Sequence, residues 1–72
     1  MRVECYAGHM ANQRPMRFTL GSRAMEVQQV EDQWYSPEAV YFRVRAEDGN
    51  LYVLRFDQTA DEWTLAAFRA AR

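Results

Sequence analysis

The fold turns on Val40-Tyr41-Phe42-Arg43-Val44-Arg45-Ala46, then Glu47-Asp48-Gly49-Asn50, then Leu51-Tyr52-Val53-Leu54-Arg55-Phe56. Val40, Phe42 and Val44 alternate with Tyr41, Arg43 and Arg45, the two-residue period of a strand with one buried face. Past the turn, Tyr52, Leu54 and Phe56 alternate with Leu51, Val53 and Arg55. A two-residue Asp48-Gly49 loop pairs Val44 with Val53, but it sets Phe42 against Arg55 and Leu54 against Arg43. A three-residue loop, Glu47-Asp48-Gly49 with Gly49 left-handed in a G1 bulge, pairs Val44 with Tyr52, Phe42 with Leu54 and Val40 with Phe56. A slip of one residue would invert every side chain, so burial selects the three-residue loop.

Working outward, Val3, Cys5 and Ala7 alternate with polar neighbours as far as Gly8, which reads as a first strand. His9 to Pro15 is polar and reads as a loop. Arg17-Phe18-Thr19-Leu20 alternates again, and Gly21-Ser22 supplies a turn. Met25 and Val27 keep the two-residue period, but the next apolar residue is Val30, so a bulge is expected at Gln28 or Gln29. Asp32, Trp34 and Tyr35 close that segment before Ser36-Pro37. At the C-terminal end Thr59-x-x-Glu62 matches a capping box and the alanines favour helix, whereas Trp63 and Leu65 alternate as in a strand. We expect a strand over Glu62 to Ala66, then at most one or two helical turns.

These elements predict one domain over residues 1–72. It is mostly β, an antiparallel meander of five to six strands curled into a small SH3-like half-barrel, with room for a short C-terminal helix. Such a sheet has exposed edges, and the first strand or the strand at Glu62 is the expected one.

Composition narrows the function classes. With 72 residues, 49% of them hydrophobic, the chain can bury a core, but it has little surplus stability for a deep catalytic cavity. All nine basic residues are arginine, and neither lysine nor isoleucine occurs, a bias that a GC-rich bacterial genome produces. The net charge is −1 with ten scattered acids, so no general field draws the chain to nucleic acid or membrane. A single cysteine, Cys5, allows no intrachain disulfide and suits a reducing cytoplasm. No apolar run is long enough for a transmembrane helix or a signal segment, so an intact cytoplasmic product is expected.

Several stretches are familiar together. Val3-Glu4-Cys5-Tyr6-Ala7-Gly8, Ala11-Asn12-Gln13-Arg14-Pro15, Asp32-Gln33-Trp34-Tyr35, the Tyr41 to Arg55 hairpin and Glu62-Trp63-Thr64-Leu65 resemble a family of very short, uncharacterised bacterial proteins. The resemblance spans nearly the whole chain and is most specific over residues 34 to 65. A looser likeness, through the tryptophan, the Phe-x-Val strand and the Trp-x-Leu ending, is to a C-terminal domain of Y-family-polymerase-like mutagenesis proteins. Neither resemblance implies an activity or a site residue.

Chemistry-bearing constellations are sparse. Cys5 and His9 lie four apart, but a structural zinc site needs four ligands and a thiolate nucleophile needs a positioned base. The pairs Glu31-Asp32, Glu47-Asp48 and Asp61-Glu62 are neighbours whose side chains diverge on strands or serve turns, not carboxylates facing across a cleft. With three scattered glycines there is no phosphate loop. We therefore expect no catalytic, cofactor-binding or metal-binding residues. Two surfaces remain. On the outer hairpin face, Tyr41, Arg43, Arg45 and Arg55 could stack bases and hold phosphates, unless Glu26 or Glu31 neutralises them from neighbouring strands. Among the aromatics, Trp34 and Trp63 read as core mass, and Tyr35, facing away from Trp34, is the expected exposed contact. The expected function is a non-catalytic protein-interaction module, through an unidentified protein partner or self-association. A nucleic-acid-binding small barrel is the second reading and an enzyme the third.

Overall fold

In the computed structural model of the chain, which describes residues 1–5 and 14–70, Gly49 takes a φ of +85°. The Ala46 N–H donates to the Asn50 carbonyl (3.0 Å) and the Gly49 N–H to the Ala46 carbonyl (2.8 Å). This is the three-residue turn. It joins β4 (Ala39–Ala46) to β5 (Leu51–Asp57) in the register Val40–Phe56, Phe42–Leu54 and Val44–Tyr52, as sorting apolar from charged residues requires. Asp48 fixes the turn from within: it accepts the Asn50 backbone N–H (2.9 Å) and the Tyr52 hydroxyl (2.6 Å).

Four further strands complete an antiparallel sheet in sequence order: β1 (Arg2–Cys5), β2 (Pro15–Leu20), β3 (Arg23–Tyr35) and β6 (Glu62–Arg69). The thirteen-residue β3 is the corner of the fold. Its first part, Arg23 to Glu26, pairs with β2, and its second, Val27 to Tyr35, pairs with β4. The register skips Gln28, where the sequence predicts a bulge, and skips Glu31 as well. Two bulges in one strand increase its twist and bend the sheet on itself, giving the curled half-barrel. Phe18 on β2 thereby meets Tyr52 on β5 across the core, ring centroids 4.9 Å apart. Phe18, Met25, Val40, Phe42, Val44, Ala46, Tyr52 and Leu54 form the buried cluster. Among the described residues no polar side-chain atom is buried without a partner.

Two expectations at the ends of the chain need comment. The loop expected over His9 to Pro15 falls largely outside the described residues, as do Ala7 and Gly8, but Pro15 belongs to β2, buried opposite Cys5. After Ala66, where the sequence allows at most one or two helical turns, β6 instead continues to Arg69, and no helix occurs among the described residues. Ala67, Phe68 and Arg69 pair with Val53, Tyr52 and Leu51, and the Phe68 ring packs 5.1 Å from that of Tyr52. Helix preference at three alanines amounts to a few tenths of a kcal/mol each, less than a strand ladder with an aromatic contact provides. At the turn before β6, Asp57 takes the Thr59 and Ala60 N–H groups (2.9 Å each), and Asp61 adopts a φ of +55°. That arrangement replaces the capping box.

Two predictions follow from this core. Phe42, 2% exposed, should cost about 3–5 kcal/mol when cut to alanine, whereas Arg43→Gln on the opposite face should stay within about 0.5 kcal/mol; urea denaturation of both variants checks the pair. The second concerns Asp48. Burial pushes its carboxyl up, but the Tyr52 hydroxyl and the Asn50 backbone and side-chain donors outweigh that and hold it below the ordinary aspartate value. Its stabilisation is then present above about pH 4 and lost as the pH falls below that value. Asp48→Asn should lower Tm at neutral pH and flatten the acid side of the Tm–pH profile. An acid side of unchanged slope would contradict this.

Candidate interaction surfaces

Alternation on β4 and β5 sends Tyr41, Arg43, Arg45, Val53 and Arg55 to the outside of the half-barrel. The structure brings the four charged and aromatic site residues of that set together on one face. It also gives each guanidinium an acidic partner. Arg45 meets Glu31 (Nη2 to Oε2, 2.9 Å) and also donates to the Gly49 carbonyl (3.1 Å). Arg43 lies 3.8 Å from Glu31 and opposite Asp32, and Arg55 reaches Asp57 at 3.4 Å. The bulge at Glu31 matters here, because the residue it displaces is the one that reaches both arginines. Glu26, the other acid anticipated for this role, instead accepts from Arg17 (2.7 Å) on the β2–β3 ladder. Three arginines thus stand among three carboxylates, Glu31, Asp32 and Asp57, and the face carries no net basic charge.

The aromatics are arranged otherwise than core mass demands. Trp34 stacks on Tyr41 (centroids 5.4 Å, planes 2° apart) on the outer face and is 39% exposed. The cross-strand pairing of Trp34 with Tyr41 makes this position outward, which is why Trp34 is not the core residue that its size suggests. Arg55 flanks Tyr41 from the other side, its guanidinium 5.9 Å from the ring and its Nε donating to the hydroxyl (3.2 Å). Trp63 does enter the core, against Phe42 (5.7 Å) and Phe56 (4.9 Å). Tyr35 is 70% exposed and accepts a hydrogen bond from Gln33 Nε2 (2.7 Å). An open groove of about 550 Å³, lined by Leu51, Val53, Ala67 and Phe68 with Glu31, Arg43 and Arg69, runs from the outer face to β6. It is a surface groove, with no carboxylate facing another across it.

The second surface was not singled out by its residues in the sequence. Among the described residues β6 is paired on its β5 side alone, so its other side forms an edge of the described sheet. Its register skips Ala66, so Trp63, Leu65 and Phe68 face inward and Glu62, Thr64, Ala67 and Arg69 face outward. Leu65 and Phe68 are 38% and 53% exposed even though they face the core side, because no strand lies beyond them among the described residues. Alternation of Trp63 and Leu65 was visible in the sequence. The bulge that carries Phe68 to the same face was hidden in Ala66-Ala67, which have no polarity contrast to reveal it.

Of the other constellation considered, Cys5 is half-buried on β1 and His9 lies outside the described residues. No group of three or more metal-ligating side chains gathers among the described residues. No helix there is long and apolar enough to cross a membrane. The chain matches no protein-family model, no curated protein and no solved structure.

The outer-face pairing is open to direct measurement. Glu31 and Arg45 are partly exposed, so a double-mutant cycle (Glu31→Gln, Arg45→Gln) should return a coupling of about 0.5–1 kcal/mol that shrinks with added salt. A coupling near zero at low salt would show that the arginine face is not neutralised in this way.

Proposed function

We propose that this chain is a non-catalytic protein-interaction module of the bacterial cytoplasm that adds an extended partner segment to the β6 edge. The observation that carries the reading is the combination on one strand of a free edge with two exposed inward apolar residues, Leu65 and Phe68. Strand addition uses both: the free backbone groups supply affinity, and alternate side chains supply contact area and selectivity. Long apolar edges that serve no partner are ordinarily blunted by charge or proline, because they invite aggregation. The eight-residue β6 has neither along Trp63 to Phe68. The other edge, β1, carries Arg2 and Glu4 among its four described residues. Tyr35 and Trp34 are further exposed aromatics on β3, on opposite faces of the strand.

Nucleic-acid binding through Tyr41, Arg43, Arg45 and Arg55 is the weaker reading. Phosphate contacts need guanidinium groups able to release counterions. Here Glu31 and Asp57 already occupy them, and the tryptophan and tyrosine that could stack bases are stacked on each other. An enzymatic reading finds no pair of carboxylates facing each other across the open groove among the described residues. The resemblance to short uncharacterised bacterial proteins fits a small interaction module but assigns it no partner.

Two measurements decide between these readings. Immobilised protein should retain a stoichiometric partner, or further copies of itself, at physiological salt, and Leu65→Thr/Phe68→Thr should abolish retention while the circular-dichroism spectrum is kept. Fluorescence anisotropy with a labelled single-stranded oligonucleotide should show no binding under the same conditions. Micromolar, salt-dependent oligonucleotide binding that Arg43→Gln/Arg45→Gln removes would overturn the proposal.

A further inference from the structure

We infer that the segment added to β6 is β6 of a second copy, so that two half-barrels join edge to edge in a two-fold dimer. The inference rests on the strand-addition reading and specifies its occupant. It comes from the order of residues along the strand, Glu62-Trp63-Thr64-Leu65-Ala66-Ala67-Phe68-Arg69. Laid antiparallel on itself with Glu62 opposite Arg69, the strand sets Trp63 opposite Phe68, Thr64 opposite Ala67 and Leu65 opposite Ala66. Charges of opposite sign meet at both ends, and aromatic meets aromatic between them. Among the described residues, neither Glu62 nor Arg69 has an ion pair within its own chain.

Such an alignment fails for an ordinary strand. Alternation would put residues 62 and 69 on opposite faces, seven positions apart, so each pairing would set an inward side chain against an outward one. The skipped register at Ala66 adds the residue that corrects this. With the bulge, Glu62, Thr64, Ala67 and Arg69 all face outward, and Trp63 and Phe68 face inward. Like then faces like at all of these positions. Leu65 and Ala66 meet at the two-fold axis, where the two bulges lie side by side. A bulge at an edge ordinarily hinders pairing with an unrelated strand. Here it disfavours a regular partner strand and suits one that carries the same irregularity at the same place.

The apolar geometry agrees. In one copy the Phe68 ring is held against Tyr52, and Trp63 against Phe42 and Phe56. In the dimer, Trp63 of each copy would lie beside Phe68 of the other. The inner faces of the two half-barrels would then share a continuous apolar seam in which Leu65 and Phe68 lose their exposure. On the outer side, two Glu62–Arg69 pairs, one at each end of the seam, would fix the register.

Sedimentation equilibrium across about 5–500 µM, the range over which interfaces of this modest size associate, tests the inference on the whole chain. Wild type should sediment at twice its 8.5-kDa mass at the upper end. Glu62→Arg and Arg69→Glu should each weaken dimerisation about tenfold, because each sets like charges opposite one another at both ends of the seam. Glu62→Arg/Arg69→Glu together should restore it to within about threefold, since the pairs are re-formed with exchanged signs. Both substitutions are on an exposed face, and circular dichroism checks that each of the three variants is folded. A monomer throughout the range overturns the dimer, and a dimer indifferent to the single reversals overturns this register. If the chain is monomeric but Leu65→Thr/Phe68→Thr still abolishes retention of another protein, self-pairing falls while strand addition stands. If retention is unaffected as well, both fall.

Discussion

The register of the central hairpin is the constraint on which everything else in this molecule depends. A three-residue turn ending in left-handed Gly49 puts Val40, Phe42, Val44, Tyr52, Leu54 and Phe56 on one side of β4 and β5. A turn one residue shorter would put Arg43 and Arg55 opposite core residues, with a desolvation cost that a domain of this size could not offset. The turn is secured by its own product. Tyr52, placed inward by the register, donates to Asp48 in the turn while its ring meets Phe18 and Phe68. A single side chain therefore ties turn, core and the last strand together.

Curvature then decides which surfaces remain available. β3 bends at Gln28 and Glu31, and this closes β2 over β5, while among the described residues β1 and β6 remain the two ends of the sheet. The same irregularity that curls the sheet delivers Glu31 to the arginines, so the outer face is neutralised by the device that shapes the fold. What is left unsatisfied is the last strand. Its inward residues lie at the margin of the core, covered on one side by Tyr52, Phe42 and Phe56 and open on the other. The functional reading follows from that asymmetry: the charged face is internally balanced, and the edge is not.

Much of this could be read from the residues. The hairpin register, a bulge at Gln28 or Gln29, a meander of five to six strands and the exposure of Tyr35 follow from alternation and turn chemistry, because Phe, Val and Arg differ so sharply in their cost of burial. Where that contrast fades, the sequence loses its voice. The bulge at Glu31 is flanked by Val30 and Asp32, whose order suits several registers. Ala66-Ala67 suits strand or helix equally, so neither the length of β6 nor the inward turn of Phe68 could be read locally. Trp34 misled for the opposite reason. Its size argues for the core, but its face is set by cross-strand pairing with Tyr41, a partner that only the register of β3 reveals.

The account holds that the half-barrel stays open and that the outer side of β6 is its unsatisfied edge. Residue-resolved amide hydrogen exchange on β6 tests this most directly. In dilute solution the amides directed to β5 should be protected, while the alternate ones exchange at nearly the rate of free peptide. As concentration rises, that second set should become protected and the rest of the sheet should change little. Protection of every β6 amide at all concentrations would mean that the edge is already covered within one chain, and the account would be wrong.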